Sequence, residues 1–355
     1  MKPAQAEHFH IPSLDGIRAV AAMLVFVAHA GWHYIVPGGF GVTIFFFLSG
    51  YLITTLLRRE HDHTGDVNFR KFYLRRAYRI FPPLYIVLFL IYLLAVTGGV
   101  DHQMRGDALL AQVLFWTNYY NIEHGGGYFV PTTGVYWSLA IEEHYYFIFP
   151  LLFWFSIKQW GYAGAARLFI ALCALALLWR SWLALEVGVS WRYTYAATDT
   201  RFDSLLFGCI LGVWNNPIYV RRERPAELGR GHFVVLATAL MLLLATFLFR
   251  EPEFRETLRY SIQGIALLPL FWLAIRYSDN SIFRWLNWRP VRYLGLVSFT
   301  FYLCHGISLE FAWRLIEAQI PRAVLGFSIA LAFSAAMYVL VEKPIARLRR
   351  RLHQD

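Results

Sequence analysis

The sequence predicts an all-α membrane protein: one domain over residues 1–355, a bundle of about ten transmembrane helices with both termini cytoplasmic. Three observations carry that prediction. Hydrophobic residues make up 58% of the chain and charged residues 16%, more apolar surface than a soluble core of this size needs. The apolar residues fall into runs of about 20, the length that crosses about 30 Å of hydrocarbon at 1.5 Å per residue. Lys and Arg gather in alternate connections, as retention of cations on the cytoplasmic side requires. The formal charge of +10 therefore reads as a basic cytoplasmic face on a lipid bilayer, and nucleic acid is not an expected partner.

In chain order the runs lie at 17–35, 40–58, 79–97, 138–157, 163–186, 203–219, 231–249, 258–275, 293–312 and 322–341. The first carries Arg18 and His29. An arginine near the middle of a span costs roughly 2.5–3.5 kcal/mol on insertion scales, so such a residue is a functional candidate by default. Eleven residues at 100° each leave His29 about 20° from Arg18 around the helix and about 16 Å along it. Asp15 and Ala22 share that face, so a polar stripe is expected to turn inward. The small-x-small pattern at 28–30 also fits a cleaved leader, but Glu7 and Asp15 offset Lys2 and Arg18, and the positive leader such a signal needs is missing.

Basic clusters at 58–79, 221–230 and 343–351 mark the cytoplasmic connections. Three arginines, Arg75, Arg76 and Arg79, stand at the expected cytoplasmic mouth of the third run. Arg76 and Arg79, three apart, project from one helix face, and guanidinium forks suit phosphate oxygens. The longest external connection, 98–137, holds an apolar-aromatic piece at 109–120, expected to be re-entrant or interfacial, and a Gly125–Gly127 turn before Pro131 that fits a shaped lid.

At the outer end of the fourth run stand Glu142, Glu143 and His144. Successive residues point about 100° apart, so only one of the two carboxylates is expected at a site. Arg201 and Asp203 open the sixth run. Ser298, Tyr302 and His305 share one face of the ninth, a spacing that also suits hydrogen bonds between helices. Cys173, Cys209 and Cys304 lie inside apolar runs without metal-ligand spacing, so they read as core residues, with no disulfide and no metal site expected.

Together the segments LDGIRAVAAMLVFVAH (14–29), FFFLSGYLIT (45–54), FYLRRAYRIFP (72–82), YWSLAIEEHYYFIFPLL (136–152), RFDSLLFGCILG (201–212), VSFTFYLCHG (297–306) and VEKP (341–344) resemble, in order, the acyltransferase 3 family of integral membrane O-acyltransferases. The resemblance implies a ten-span bundle in the inner (cytoplasmic) membrane. It also implies transfer of an acyl group, usually acetyl from acetyl-CoA, to a hydroxyl of a carbohydrate such as a lipopolysaccharide, exopolysaccharide or peptidoglycan sugar, or of a glycolipid. Arg18, His29, Arg76 and Arg79 match the family's functional positions and Glu142 its carboxylate, while Glu143 falls on a variable position. No esterase-like domain is expected after the tenth run, which leaves transfer to the membrane domain or a separate protein.

The residue chemistry fits. Acyl transfer needs a base for the hydroxyl proton, a cation or hydrogen-bond donor for the oxyanion, and a hold on the donor. His29 suits the first, tuned by a carboxylate such as Asp15 or Glu142, and the roles of base and acylated nucleophile are both open to it. Arg18 suits orienting the donor or bracing the site electrostatically, and Arg76, Arg79 and neighbouring Arg75 suit the phosphates of CoA. A proton-coupled exporter would also use intramembrane Arg, His and Glu, but no internal repeat accompanies them here.

Overall fold

The computed structural model of the chain describes residues 11–100, 103–219 and 227–351, with side chains through 348. Helices build it, with no strand among the described residues. Among the described residues seven stretches are long and apolar enough to cross a membrane. The predicted termini and Arg221, Arg222 and Arg224 of the second basic cluster lie outside the described residues.

Helix α1 (Pro12–Val27) runs into a π-turn (Ala28–Trp32), and the turn ends the regular helix where Gly31 takes a φ of 106°. Helix α2 (Gly38–Thr64) outruns its predicted span and stops at Gly65, a left-handed C-cap whose N–H returns to the His61 carbonyl. Asn68 then caps α3 (Phe69–Val96), its side chain accepting the Lys71 N–H at 2.9 Å. The third helix thus begins ten residues before the predicted 79. Hydropathy missed that start because the first three turns are rich in Arg and Tyr. Arg76 and Arg79 consequently lie well inside a helix rather than at its mouth.

The 109–120 piece of the 98–137 connection is not one helix. Helix α4 (Gly106–Val113) and helix α5 (Thr117–His124) are separated at Phe115, whose φ of 58° no helix accommodates, and two single 3₁₀ turns follow. The segment is packed down. Gln112 donates to Thr133 and accepts the Val130 N–H, and the Tyr136 hydroxyl donates to the Leu303 carbonyl at 2.9 Å.

Helix α6 (Trp137–Trp182) is written as one 46-residue element, but Gly161 takes φ 63°, ψ −175°, a region open essentially to glycine alone. The chain doubles back there. On a straight helix Phe149 and Phe169 would stand about 30 Å apart, yet their ring centroids are 5.6 Å apart. The predicted fourth and fifth runs are therefore the arms of one tight hairpin.

Helices α7 (Trp191–Ala196) and α8 (Thr198–Val213) follow, then α9 (Arg230–Leu248), α10 (Pro252–Glu256), α11 (Arg259–Arg276), α12 (Arg289–Leu315), α13 (Gln319–Met337) and α14 (Lys343–Arg351). At the centre α2 packs on α8. A Cβ on Gly50 would meet the Leu205 carbonyl oxygen at 2.0 Å, and one on Gly208 the Phe47 carbonyl oxygen at 2.0 Å. Only glycine lets two backbones approach so closely, the small-residue packing of helices in lipid. Around this seam α6 lies on α8, α1 on α2 and α12, α13 on α12, and α9 on α11.

Arg180 and Asp203, both fully buried, tie the second arm of α6 to α8 and α11. The guanidinium donates to Asp203 Oδ2 at 3.0 Å, Ser261 Oγ at 2.7 Å and the Thr257 carbonyl at 2.9 Å. Arg201 is equally buried and lies 3.8 Å from the centre of the Tyr260 ring, its NH1 donating to the Tyr195 carbonyl. Arg201 and Asp203, noted in the sequence, thus brace helices. The three cysteines are buried and unpaired in disulfides.

Candidate active site

A cavity of about 90 Å³ opens between α1, α2, α3, α6 and α12, and its polar wall gathers Arg18, Ser49, Arg76, Arg79, Glu142 and Tyr302. Positions 18, 76, 79 and 142, scattered over four runs in the sequence, meet in one chamber. Its size admits several waters or a small acyl group. A wider groove on the outer side of α3, lined by Phe81, Pro82, Tyr85, Ile86, Phe89 and Leu90, is apolar throughout and offers no chemistry.

Each polar side chain is held by its own helix or a neighbour. Asp15 lies one turn before Arg18 and accepts its NH1 at 3.1 Å. Tyr146, one turn beyond Glu142, donates to Glu142 Oε2 at 2.9 Å, while Ser49 of α2 donates to Oε1 at 3.2 Å. The Arg76 guanidinium lies 5.0 Å from the Tyr146 ring centre, so the same tyrosine fixes the carboxylate and carries the cation on its face. Arg79 is exposed and marks the open end. With Arg18 paired to Asp15, Arg76 and Arg79 share the chamber with the single carboxylate of Glu142, which leaves one positive charge to spare for a phosphate or an oxyanion.

His29 does not line this cavity. It is exposed near the far end of the first helix, and its Nδ1 stands 3.1 Å from Nε2 of His305. Neither carboxylate named as its tuning partner reaches it: Asp15 is taken by Arg18, and Glu142 by Ser49 and Tyr146. Tyr302 bridges the two regions. It lines the cavity, its ring centroid is 5.5 Å from that of His305, and its hydroxyl donates to the Val135 carbonyl at 2.9 Å and lies 2.7 Å from Ser138 Oγ.

Arg75 points elsewhere, paired with Glu60 at 2.8 Å and absent from the cavity wall. Adjacent residues on a helix diverge by about 100°, which separates it from Arg76. Glu143 is also outside the cavity, as that same divergence leads one to expect. His144 lies 2.8 Å from Thr198 Oγ1. Sequence reasoning passed over Ser49 and Tyr146. Tyr146 carried a readable signal, four residues after Glu142; Ser49 carried none, because its partner lies 93 residues away.

The profile of the acyltransferase domain family matches residues 11–339. The chain is 28% identical over 354 residues to a putative peptidoglycan O-acetyltransferase, YrhL, of Bacillus subtilis, covering 95% of this chain and 55% of that protein. It is 28% identical over 357 residues to the peptidoglycan O-acetyltransferase OatA of Listeria monocytogenes, covering 95% and 56%. Against the O-acetyltransferase OatA of Staphylococcus aureus the identity is 28% over 351 residues, covering 95% and 57%. The chain thus spans about half the length of the curated relatives it matches. No solved structure matches it.

Proposed function

This chain belongs to the acyltransferase domain family, and on that premise we propose that it transfers an acetyl group from acetyl-CoA to a carbohydrate hydroxyl at the cell envelope. One observation supports this most: Arg18, Arg76, Arg79 and Glu142 share a cavity that Tyr302 connects to the His29–His305 pair. In the proposed arrangement ten helices cross the inner membrane, counting both arms of the α6 hairpin together with α8 and α11, and both termini are cytoplasmic. Arg76 and Arg79 hold the phosphates of CoA from the cytoplasmic side. The acyl arm then reaches past Arg18 towards His29, about 16 Å along the first helix.

At His29 the acceptor hydroxyl gives its proton to the imidazole as its oxygen attacks the thioester carbonyl. The C–O bond forms, the negative charge passes to the carbonyl oxygen, and collapse breaks the C–S bond. The departing thiolate takes the proton from His29, so the imidazole ends as it began. Arg18 supplies positive charge along the donor's path, and Glu142 offsets part of the arginine charge. Because the relatives' names specify peptidoglycan, a peptidoglycan glycan is the first acceptor to try, ahead of a lipopolysaccharide or glycolipid.

The test is a transfer assay on the purified chain in lipid nanodiscs, with acetyl-CoA labelled in the acetyl group and a muropeptide acceptor. Label appearing as an alkali-labile ester on the glycan is the expected result. Intact acetyl-CoA after prolonged incubation with every acceptor class would refute transferase activity in this chain.

A further inference from the structure

We infer that His305 is a positioning residue that fixes the tautomer of His29, so that Nδ1 carries the proton and Nε2 presents a bare lone pair to the acceptor hydroxyl. This rests on the reading of His29 as the base.

The chain of hydrogen bonds has one direction because it starts at a group that only accepts. His305 Nδ1 lies 2.6 Å from the Tyr302 carbonyl oxygen. A carbonyl oxygen cannot donate, so Nδ1 of His305 holds a proton and points it there. A neutral imidazole has one N–H, which leaves Nε2 of His305 as an acceptor. Its neighbour at 3.1 Å is Nδ1 of His29, which must therefore donate. In a neutral His29 the second nitrogen, Nε2, is then unprotonated, the form a general base requires.

Burial keeps His305 neutral. His305 is 1% exposed, and its hydrogen-bond partners are the Tyr302 and Phe301 carbonyls and His29, none of them anionic. An imidazolium there would lack a counter-charge, which burial makes costly. A protonated His305 would also force His29 Nδ1 to accept and place the proton on Nε2, disabling the base. The position on α12 fits the role. Its carbonyl partner Tyr302 lies one turn earlier, so the helix itself sets the orientation of the His305 ring before His29 arrives. His29, in turn, is exposed, as a base that meets an incoming acceptor must be.

The Val25 carbonyl also stands beside the His29 ring, and it supplies the competing outcome. A ring whose Nδ1–H went to that oxygen rather than to His305 would keep its tautomer when His305 is replaced by Phe.

Nitrogen-15 NMR of histidine-labelled protein in lipid bilayers reads the tautomer directly, with the His29 signal identified as the one lost in His29→Gln. The expected result is a single Nδ1–H tautomer in the wild type and a mixture of both in His305→Phe. The transfer kcat should fall about tenfold or more in that variant, within the span a general base commands, while KM for acetyl-CoA stays within about twofold, since the donor contacts are elsewhere. His305→Gln, whose side-chain oxygen reaches the Nε2 position, should restore the tautomer and most of the rate, and the shorter His305→Asn should not. An Nε2–H tautomer in the wild type, an unchanged tautomer in His305→Phe, or equal rates in the Gln and Asn variants would overturn the inference. Where the Phe variant fails to fold, the Gln and Asn pair carries the test. Failure of the base reading itself shows separately, as near-full transfer by His29→Gln with the wild-type tautomer unaffected.

Discussion

Replacing both Arg76 and Arg79 by Ala removes two of the three guanidinium groups of the cavity. A hydrogen bond to a charged group contributes about 1.5–3 kcal/mol, so each arginine accounts for about ten- to 150-fold in donor affinity. The double variant should bind CoA about 10²–10⁴-fold more weakly, the lower end applying if the phosphates stay partly hydrated at the exposed Arg79. Arg75→Ala is the internal control. That arginine carries the same charge one residue away but is spent on Glu60 at 2.8 Å, with both side chains under one-fifth exposed, so its loss should cost about 1–3 kcal/mol of stability, between an exposed and a buried pair, and leave CoA affinity unchanged. Calorimetric titration of CoA into nanodisc-held protein at low and high salt measures all three. The wild-type affinity should fall with salt, and the double variant should be less salt-sensitive. An equal loss in Arg75→Ala would show that general basicity rather than the cavity geometry holds the donor, and an unaltered affinity in a folded double variant would remove the arginines from donor recognition.

His29→Gln keeps size and hydrogen bonding but not basicity, so transfer should drop about 10²–10⁴-fold with CoA binding intact; labelled acetyl trapped on His29 would make it a nucleophile instead. Arg180→Met strips Asp203 and Ser261 of their buried cation and should destabilise the fold by about 3–5 kcal/mol, read as a lower midpoint of thermal unfolding in detergent, with Arg180→Met/Asp203→Leu recovering part of the loss. Gly161→Ala places a methyl group where φ is 63° and ψ −175° and should cost about 1–3 kcal/mol; an unchanged unfolding midpoint would mean the α6 hairpin turns elsewhere.

Runs of apolar residues made the helices legible, because burial in lipid demands them of every crossing segment. The same criterion truncated α3, whose first turns are basic, but it separated the two arms of α6 on either side of Gly161, where the backbone turns. It also overlooked that 109–120 breaks at Phe115, a φ reversal with no sequence mark. For the site, Arg18 and Glu142 stood out as charges within apolar runs and Arg76 and Arg79 as a basic pair at the mouth of one, and the cavity brings the four together. Their partners were hidden, because the approach of Ser49 to Glu142 or His305 to His29 depends on how helices distant in sequence lie against each other. Arg75 was grouped with its neighbours by charge, whereas the turn of the helix gives it to Glu60.

Pro82 and Pro83 sit inside α3, one turn beyond the arginine pair, and neither has an N–H to return to the Tyr78 and Arg79 carbonyls four residues back. Two rungs of the helix ladder are therefore missing at the point where the arginine-bearing half joins the apolar half. Another wall, α2, is packed backbone against backbone on α8 at Gly50 and Gly208, which leaves no slack. Mechanically the chamber has a rigid jaw and a jointed one. A chamber of about 90 Å³ must widen to take anything the size of a nucleotide thioester, and the two missing rungs put the compliance for that in α3, so the arginines proposed to grip the donor ride on the part that would yield to it.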